Sequence, residues 1–357
     1  MDLHVNRADL AEVALVETPP APLDDGQVRL RIDEFGLSAN NITYAALGDA
    51  MRYWAAFPAP EGWGRVPVWG FAEVTESRHA AVAVGTRVFG FLPMSEELVV
   101  TAGKASEHGF TDVAEHRRAL AGAYNRYQVV TSAPDDAAGD GQRMLLFPLF
   151  MTSFLVDDFL ADNHFFGADT LVISSASSKT ALGVAWCAHR RAGIRVIGLT
   201  APANLDFVTA RGVYDDVLAY GAEAELPTGP TVYVDVSGSA AVRNAVHHRA
   251  GDALAHDMVL GATHLGDLGR ADADLPGAKP AFFFAPSQIA KRTEEWGPGG
   301  LDGKIAEAWT AFSAWAGAAI TLRRATGAAA VEAAYRELLE NRSDPTVGHI
   351  LSLQPTR

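Results

Sequence analysis

Short apolar runs rich in valine and isoleucine constrain this chain most: LVIS (171–174), RVIGL (195–199), TVYVDV (231–236) and DMVLGA (257–262). Each is uninterrupted rather than alternating, and helical-looking segments lie between them. A strand that is apolar on both faces must be covered on both, so the pattern predicts a parallel sheet with helices on each side. The first run leads into Ser174-Ser175-Ala176-Ser177-Ser178-Lys179-Thr180 and then a helical pattern. Strand, tight turn and helix is where such a sheet keeps a glycine-rich phosphate loop, yet here no glycine occurs before Gly183.

The flanks differ in character. Gln27 to Asp33 alternates polar and apolar residues as a half-buried strand does, and Gly36, Gly48, Gly62, Gly64, Gly70, Gly85 and Gly90 punctuate the region that follows. Tyr44, Tyr53, Trp54, Trp63 and Trp69 crowd one turn-rich stretch, either a core edge or one wall of a pocket. After about residue 286 the spacing turns helical, and Gly348 to Leu353 reads as a last strand. Length and a 48% hydrophobic content suit about two domains.

A net charge of -14 repels nucleic acid and anionic membranes, so neither is an expected partner. The single Cys187 forbids an internal disulfide, suits a reducing compartment and reads as a small buried hydrophobe. The N-terminal residues carry no secretory pattern, and a cytoplasmic location is expected. The run Met144 to Val156, broken by Pro148 and followed by Asp157-Asp158, reads as a core helix rather than a membrane span.

The serine loop admits more than one chemistry. A serine in place of glycine has to keep negative φ or absorb strain of the order of 1 kcal/mol. In return Ser174, Ser175, Ser177, Ser178 and Thr180 supply hydroxyls, and Lys179 supplies a cation at a helix start, where a cation is poorly placed unless an anion shares the site. A triphosphatase loop would need glycines where Ile173 and Ser178 stand, and Asp235 as its magnesium-holding acid. A plain turn with serines capping the helix is the bland alternative.

Landmarks spread over nearly the whole chain resemble the medium-chain dehydrogenase/reductase superfamily, in particular its zinc-free quinone-reductase-like branch. They are GQVRLRIDEFGLSANNITYAALGD, VPVWGFAEV followed by GTRVFGFLP, PLFMTSF, LVISSASSKTALG, RVIGLTAPANLDFVTARGVYDDVLAY, VYVDVSGSAAVRNA and YRELLENRSDPTVGHILSL, in family order. The resemblance implies an α/β chain: a doubly wound Rossmann sheet over 131–286, and a GroES-like, mostly β catalytic domain from 1–130 and 287–357. It further implies an uncharacterised subfamily of such enzymes, with a homodimer as the superfamily habit.

On that resemblance, Ser175, Ser178 and Ala181 stand at the glycines of G-x-x-G-x-x-G. Thr152 lies near the nicotinamide, and Gly238 and Gly261-Ala262 turn after the fourth and fifth sheet strands. Thr200 stands where NAD-preferring members carry an acid, which points to NADPH. Asn204 replaces the usual lysine partner, so Lys179 or Arg211 is the candidate for the 2′-phosphate.

No cysteine follows Gly36, where zinc members have one, and His247, His248, His256 and His264 are loosely spaced, so no metal is expected. Without metal, reduction of a carbonyl or enone needs a donor at the oxygen that becomes negative. Asn41 and Tyr44 are the candidates, with Tyr53, Tyr124 and His264 in reserve. The expected activity is a zinc-independent, NADPH-dependent reduction of a carbonyl, enone or quinone on a small apolar substrate. The rival from another class is a cofactor-losing descendant that keeps the fold as a ligand-binding or scaffolding protein.

Overall fold

The computed structural model describes residues 1–130, 137–260 and 274–355. The chain forms two compact units, one from Met1–Leu145 with Thr321–Arg357 and the other from Leu146–Ile320.

In the second unit the apolar runs become a six-stranded sheet. Its strands in chain order are Thr170–Ile173, Arg195–Thr200, Asp216–Ala219, Thr231–Asp235, Leu254–Val259 and Pro280–Phe282. Among the described residues every pairing in this sheet is parallel, and the spatial order is 3-2-1-4-5-6, the doubly wound Rossmann arrangement. Leu171, Val172, Ile173, Val232, Tyr233 and Val234 are fully buried, as strands covered on both faces must be. The strand order reverses between the first and fourth strands, and ligands of open parallel sheets bind at the carboxyl ends beside such a switch point.

Helices Ala285–Trp296 and Gly300–Ala319 fall in this unit, whereas the family resemblance implies a β domain from residue 287 onward. The physical reason is aromatic. Phe312 stacks on Phe150 at 4.4 Å and meets Trp186 edge-on at 5.5 Å, burying the helix's apolar stripe. Helix Ala137–Asp162, with Pro148 inside it, is longer than the apolar run read from sequence. By length and composition alone it could cross a membrane, but 61% of its most apolar window is buried within the fold.

The first unit is β-rich. Strand Gln27–Leu37 pairs on one side with Pro67–Ser77 and on the other with Glu97–Ser106. The series continues through Arg87–Pro93, Arg126–Val129 and Gly109–Asp112 back to Glu97–Ser106, so the sheet closes on itself as a barrel. The chain's end joins the same sheet: Val347–Ser352 pairs antiparallel with Gln27–Leu37, and Thr321–Thr326 lies beside it. Val28, Leu30 and Ile32 point into the core as the alternation requires. Arg29, on the other face, is covered as well, through ion pairs to Glu76 and Glu97.

The tryptophan-rich stretch is partly core. Trp54 is buried, and ideal side-chain carbons built on Gly48 and Gly64 would fall 2.1 and 2.3 Å from its indole. Both glycines are therefore space for one ring. Gly64→Ala is expected to lower stability by about 1–3 kcal/mol, because a buried indole in a filled core cannot step aside. Equilibrium denaturation in urea checks this: the midpoint should fall with an unchanged slope.

Candidate active site

The first sheet strand ends at Ile173, and the serine turn begins inside the core. Ser174 is buried, and its hydroxyl donates to Asp235 Oδ1 at 2.8 Å while accepting the N–H groups of Val236 and Ser237, each at 3.0 Å. One hydroxyl thus ties the first strand's end to the turn after the fourth. Ser175 follows with φ +52°, the left-handed backbone that glycine adopts at no steric cost. The serine absorbs the strain rather than avoiding it.

Neighbouring elements hold the turn in that shape. The Ser175 N–H donates to the Tyr220 hydroxyl at 2.8 Å, the Ala176 N–H to the Leu199 carbonyl at 3.0 Å, and the Tyr214 hydroxyl to the Ala176 carbonyl at 3.0 Å. Asn204 Nδ2 donates to Ser177 Oγ at 3.1 Å. Close approach needs a glycine after all, but on the second strand: a side-chain carbon at Gly198 would lie 2.9 Å from Ala176 and 3.0 Å from the Tyr214 ring.

Ser178 is the N-cap of helix Lys179–His189, its Oγ accepting the Ala181 N–H at 3.2 Å. Lys179 and Thr180 therefore open the first turn, where helix N–H groups lack intrahelical partners. Ala181 is buried, and the close helix contact lies one step on: a side-chain carbon at Gly183 would fall 2.5 Å from Ser153 Oγ, which donates to the Thr180 and Leu149 carbonyls.

Asp235 is fully buried. Its Oδ1 also accepts the Ser237 hydroxyl and the Gly238 N–H, each at 2.9 Å, and its Oδ2 meets the Arg243 guanidinium. This corrects the triphosphatase alternative: Asp235, the acid it would use for magnesium, is enclosed by donors and is the counter-ion of a buried arginine. Beyond Arg243 lies buried Asp257, which pairs with His247 at 2.8 Å. His247 is thereby a core residue with a carboxylate on one ring nitrogen and the Pro276 carbonyl, 2.8 Å away, on the other.

Thr200 ends the second strand, buried, with no hydrogen-bond partner for its Oγ1 among the described residues. Arg211 aims its guanidinium at the Phe207 and Ala319 carbonyls and lies over the Phe207 ring. Gly238 has φ +69°, as a turn glycine should. Thr152 is half-buried on helix Ala137–Asp162, its hydroxyl 3.4 Å from the Pro148 carbonyl. Gly261, Ala262 and His264 lie outside the described residues. Burial raises the Cys187 thiol, as suits a core position.

In the β unit, Asn41 is buried, and its amide is engaged by main chain at both ends. Oδ1 accepts the Ser38 N–H and Nδ2 donates to the Pro67 carbonyl, each at 2.8 Å, which fixes the start of helix Ala39–Ala46. Tyr44, on that helix, packs against Tyr53 at 4.6 Å and edge-on against Phe91 and Tyr124 at 5.6 and 6.4 Å. The Tyr53 and Tyr124 hydroxyls lie 3.3 Å apart. Burial pushes the Tyr44 phenol up to about 12, with the neighbouring Tyr53 adding to the shift. Burial likewise raises Tyr53 and Tyr124, the latter well above the usual value. The three phenols are therefore neutral proton donors through the physiological range. Among the described residues no three His, Cys, Asp or Glu side chains lie together as a metal site.

Tyr214, Tyr220 and Arg243 escaped the sequence reading. The tyrosine of DDVLAY was visible in the motif, but that its hydroxyl reaches a turn 45 residues away was not.

If Ser175 is strained and Tyr220 holds it, Ser175→Gly should raise stability by about 1 kcal/mol, the steric cost exceeding the entropy that glycine loses on folding. Thermal and urea denaturation check this, and a loss of stability would contradict the left-handed assignment.

Structural comparison places solved reductase-fold proteins beside this one. CurA from Vibrio vulnificus in complex with NADPH aligns over 96% of this chain and 95% of its own, with a TM-score of 0.64 and 15% identity. YhdH of E. coli K-12 with bound NADPH aligns over 99% and 100%, with a TM-score of 0.58 and 11% identity. A mutant form of enoyl thioester reductase from Candida tropicalis aligns over 98% of both chains, with a TM-score of 0.58 and 10% identity. This likeness shows the fold, the Rossmann sheet with a GroES-like β unit implied by the medium-chain dehydrogenase/reductase resemblance. No curated protein sequence matches the chain. The family model described as protein of unknown function (DUF2855) matches residues 35–344, and the chain belongs to that family.

Proposed function

We propose that the protein is an NADPH-dependent reductase of a carbonyl, enone or quinone group on a small apolar substrate, acting without zinc. The observation that carries this reading is Ser175. At φ +52° it keeps the backbone shape of a glycine-type phosphate turn, although a side chain makes that shape costly. A turn with no anion to receive would gain nothing from the strain.

The residues present fit a dinucleotide. The turn lies at the carboxyl end of the first strand of a doubly wound sheet, and Lys179 opens the following helix. Among the described residues the Ser177 N–H has no hydrogen-bond partner, and the Tyr220 hydroxyl, which accepts from Ser175, keeps its own proton for an anion. Burial pushes that phenol up to about 12, so it stays a donor. Thr200, with its unpartnered Oγ1 and no carboxylate, suits a 2′-phosphorylated ribose better than a free one. Lys179, which opens the helix after the turn, is the first candidate for that phosphate, and Arg211, whose guanidinium reaches the Phe207 and Ala319 carbonyls, is the second.

When bound, NADPH would supply the hydride. The chain's own contribution is orientation and a proton. Tyr44, held neutral by burial, donates a hydrogen bond to the substrate oxygen as negative charge develops there. Tyr53 and Tyr124 share a hydrogen bond in the same cluster, and Asn41 fixes the helix on which Tyr44 rides. A phenol-lined aromatic cluster suits a flat, weakly polar substrate. The absence of zinc in this reading rests on Leu37-Ser38 after Gly36, where a metal ligand would be a cysteine.

A cofactor-free ligand-binding protein is the second reading, favoured by the Tyr220 hydroxyl that already occupies the Ser175 N–H. Fluorescence titration with NADPH and NADH, with turnover of 1,4-benzoquinone, separates the two. Lys179→Ala should weaken NADPH binding by about tenfold or more, as loss of a charge-assisted contact does, and NADH binding much less. Tyr44→Phe should lower kcat by about 10²-fold while leaving NADPH binding unchanged. Absence of binding by either dinucleotide selects the second reading.

A further inference from the structure

Arg117 is 1% exposed, yet its guanidinium is accounted for almost wholly by groups on two short turns. Nη1 donates to the Ala56 carbonyl at 3.1 Å, at the end of the turn Tyr53–Ala56. Nη2 donates to the Tyr124 carbonyl at 2.5 Å, and Nε to Asn125 Oδ1 at 3.0 Å, both on the turn Gly122–Asn125. Asn125 Nδ2 returns a bond to the Arg117 carbonyl at 3.0 Å. The counter-charge is Asp112, 3.7 Å away and equally buried, and the guanidinium lies over the Phe57 ring at 4.9 Å.

A buried arginine is a poor way to stabilise a core, since an apolar side chain of similar volume avoids the desolvation of a charge. What the planar fork provides is geometry, because its donors point in fixed directions. Here those directions join the turn carrying Tyr53 to the turn carrying Tyr124, whose hydroxyls meet at 3.3 Å. We propose that Arg117 is a positioning residue that sets the Tyr53–Tyr124 phenol pair, a role that rests on the proposed part of these phenols in reduction. The fork rather than the positive charge does the work: an ammonium group at the same place cannot reach Ala56, Tyr124 and Asn125 together in one plane.

The test uses the full chain labelled with 3-fluorotyrosine, with the 19F resonances of Tyr53 and Tyr124 assigned by Tyr53→Phe and Tyr124→Phe. In the otherwise unchanged protein, removing either hydroxyl should shift the other residue's resonance. That cross-effect should vanish in Arg117→Met and equally in Arg117→Lys. Turnover of 1,4-benzoquinone with NADPH should show kcat reduced about 10²-fold in both variants with KM little changed, the size expected when a reacting group is displaced by about 1 Å. Should Arg117→Met fail to fold, Asn125→Ala removes one acceptor of the fork and should weaken the cross-effect. A lower melting temperature with the cross-effect intact, or full rescue by lysine, overturns the proposal. If the unmodified protein shows no NADPH-linked turnover, the reductase reading fails, while the 19F cross-effect still decides the role of Arg117.

Discussion

Ser175 carries a side chain in a conformation that costs L-residues about 1–2 kcal/mol, and the α/β unit is arranged to keep it there. Tyr220 takes its N–H, Leu199 takes the next one, and Tyr214 anchors the Ala176 carbonyl. These groups come from the second and third βα units, so the turn's shape is fixed from outside rather than by its own residues. Glycine loops reach the same shape by having no side chain to oppose it. Here hydroxyls and tyrosines substitute for permissiveness.

The base of the turn is held by a different force. Ser174 and Asp235 bind each other and five further donor groups across the ends of the first and fourth strands, where the strand order reverses. Because Asp235 is buried, its charge is tolerable only with Arg243 and these hydrogen bonds in place. The β unit repeats the strategy with Arg117 and Asp112 beneath the phenol cluster. In both units a buried arginine with a carboxylate counter-charge lies among the groups that carry the candidate chemistry.

Much of the fold was legible. The uninterrupted valine- and isoleucine-rich runs could only be strands covered on both faces, and four of the six parallel strands are those runs. The alternation over Gln27 to Asp33 marked a barrel strand, apart from Arg29, whose burial depends on Glu76 and Glu97 far along the chain. The helices after residue 286 were visible by periodicity. Their place in the α/β unit was not, because it depends on Phe312 finding Phe150 and Trp186. At the site, the turn and its helix cap could be read from local residues. The reach of Tyr220 to Ser175 and the enclosure of Asp235 could not, since both are tertiary. Asn41 shows the same limit: its residue type is visible in the sequence, but its bond to the Pro67 carbonyl, 26 residues away, is not.

The central claim is that the serine turn receives a dinucleotide. Hydrogen–deuterium exchange, read by mass spectrometry on the peptide spanning residues 174–181 with and without saturating NADPH, tests it most directly. The account predicts slower exchange in that peptide, because the cofactor would cover the Ser177 N–H and the first turn of the helix after Ser178. Unchanged exchange there, with NADPH demonstrably bound elsewhere or not at all, would contradict it.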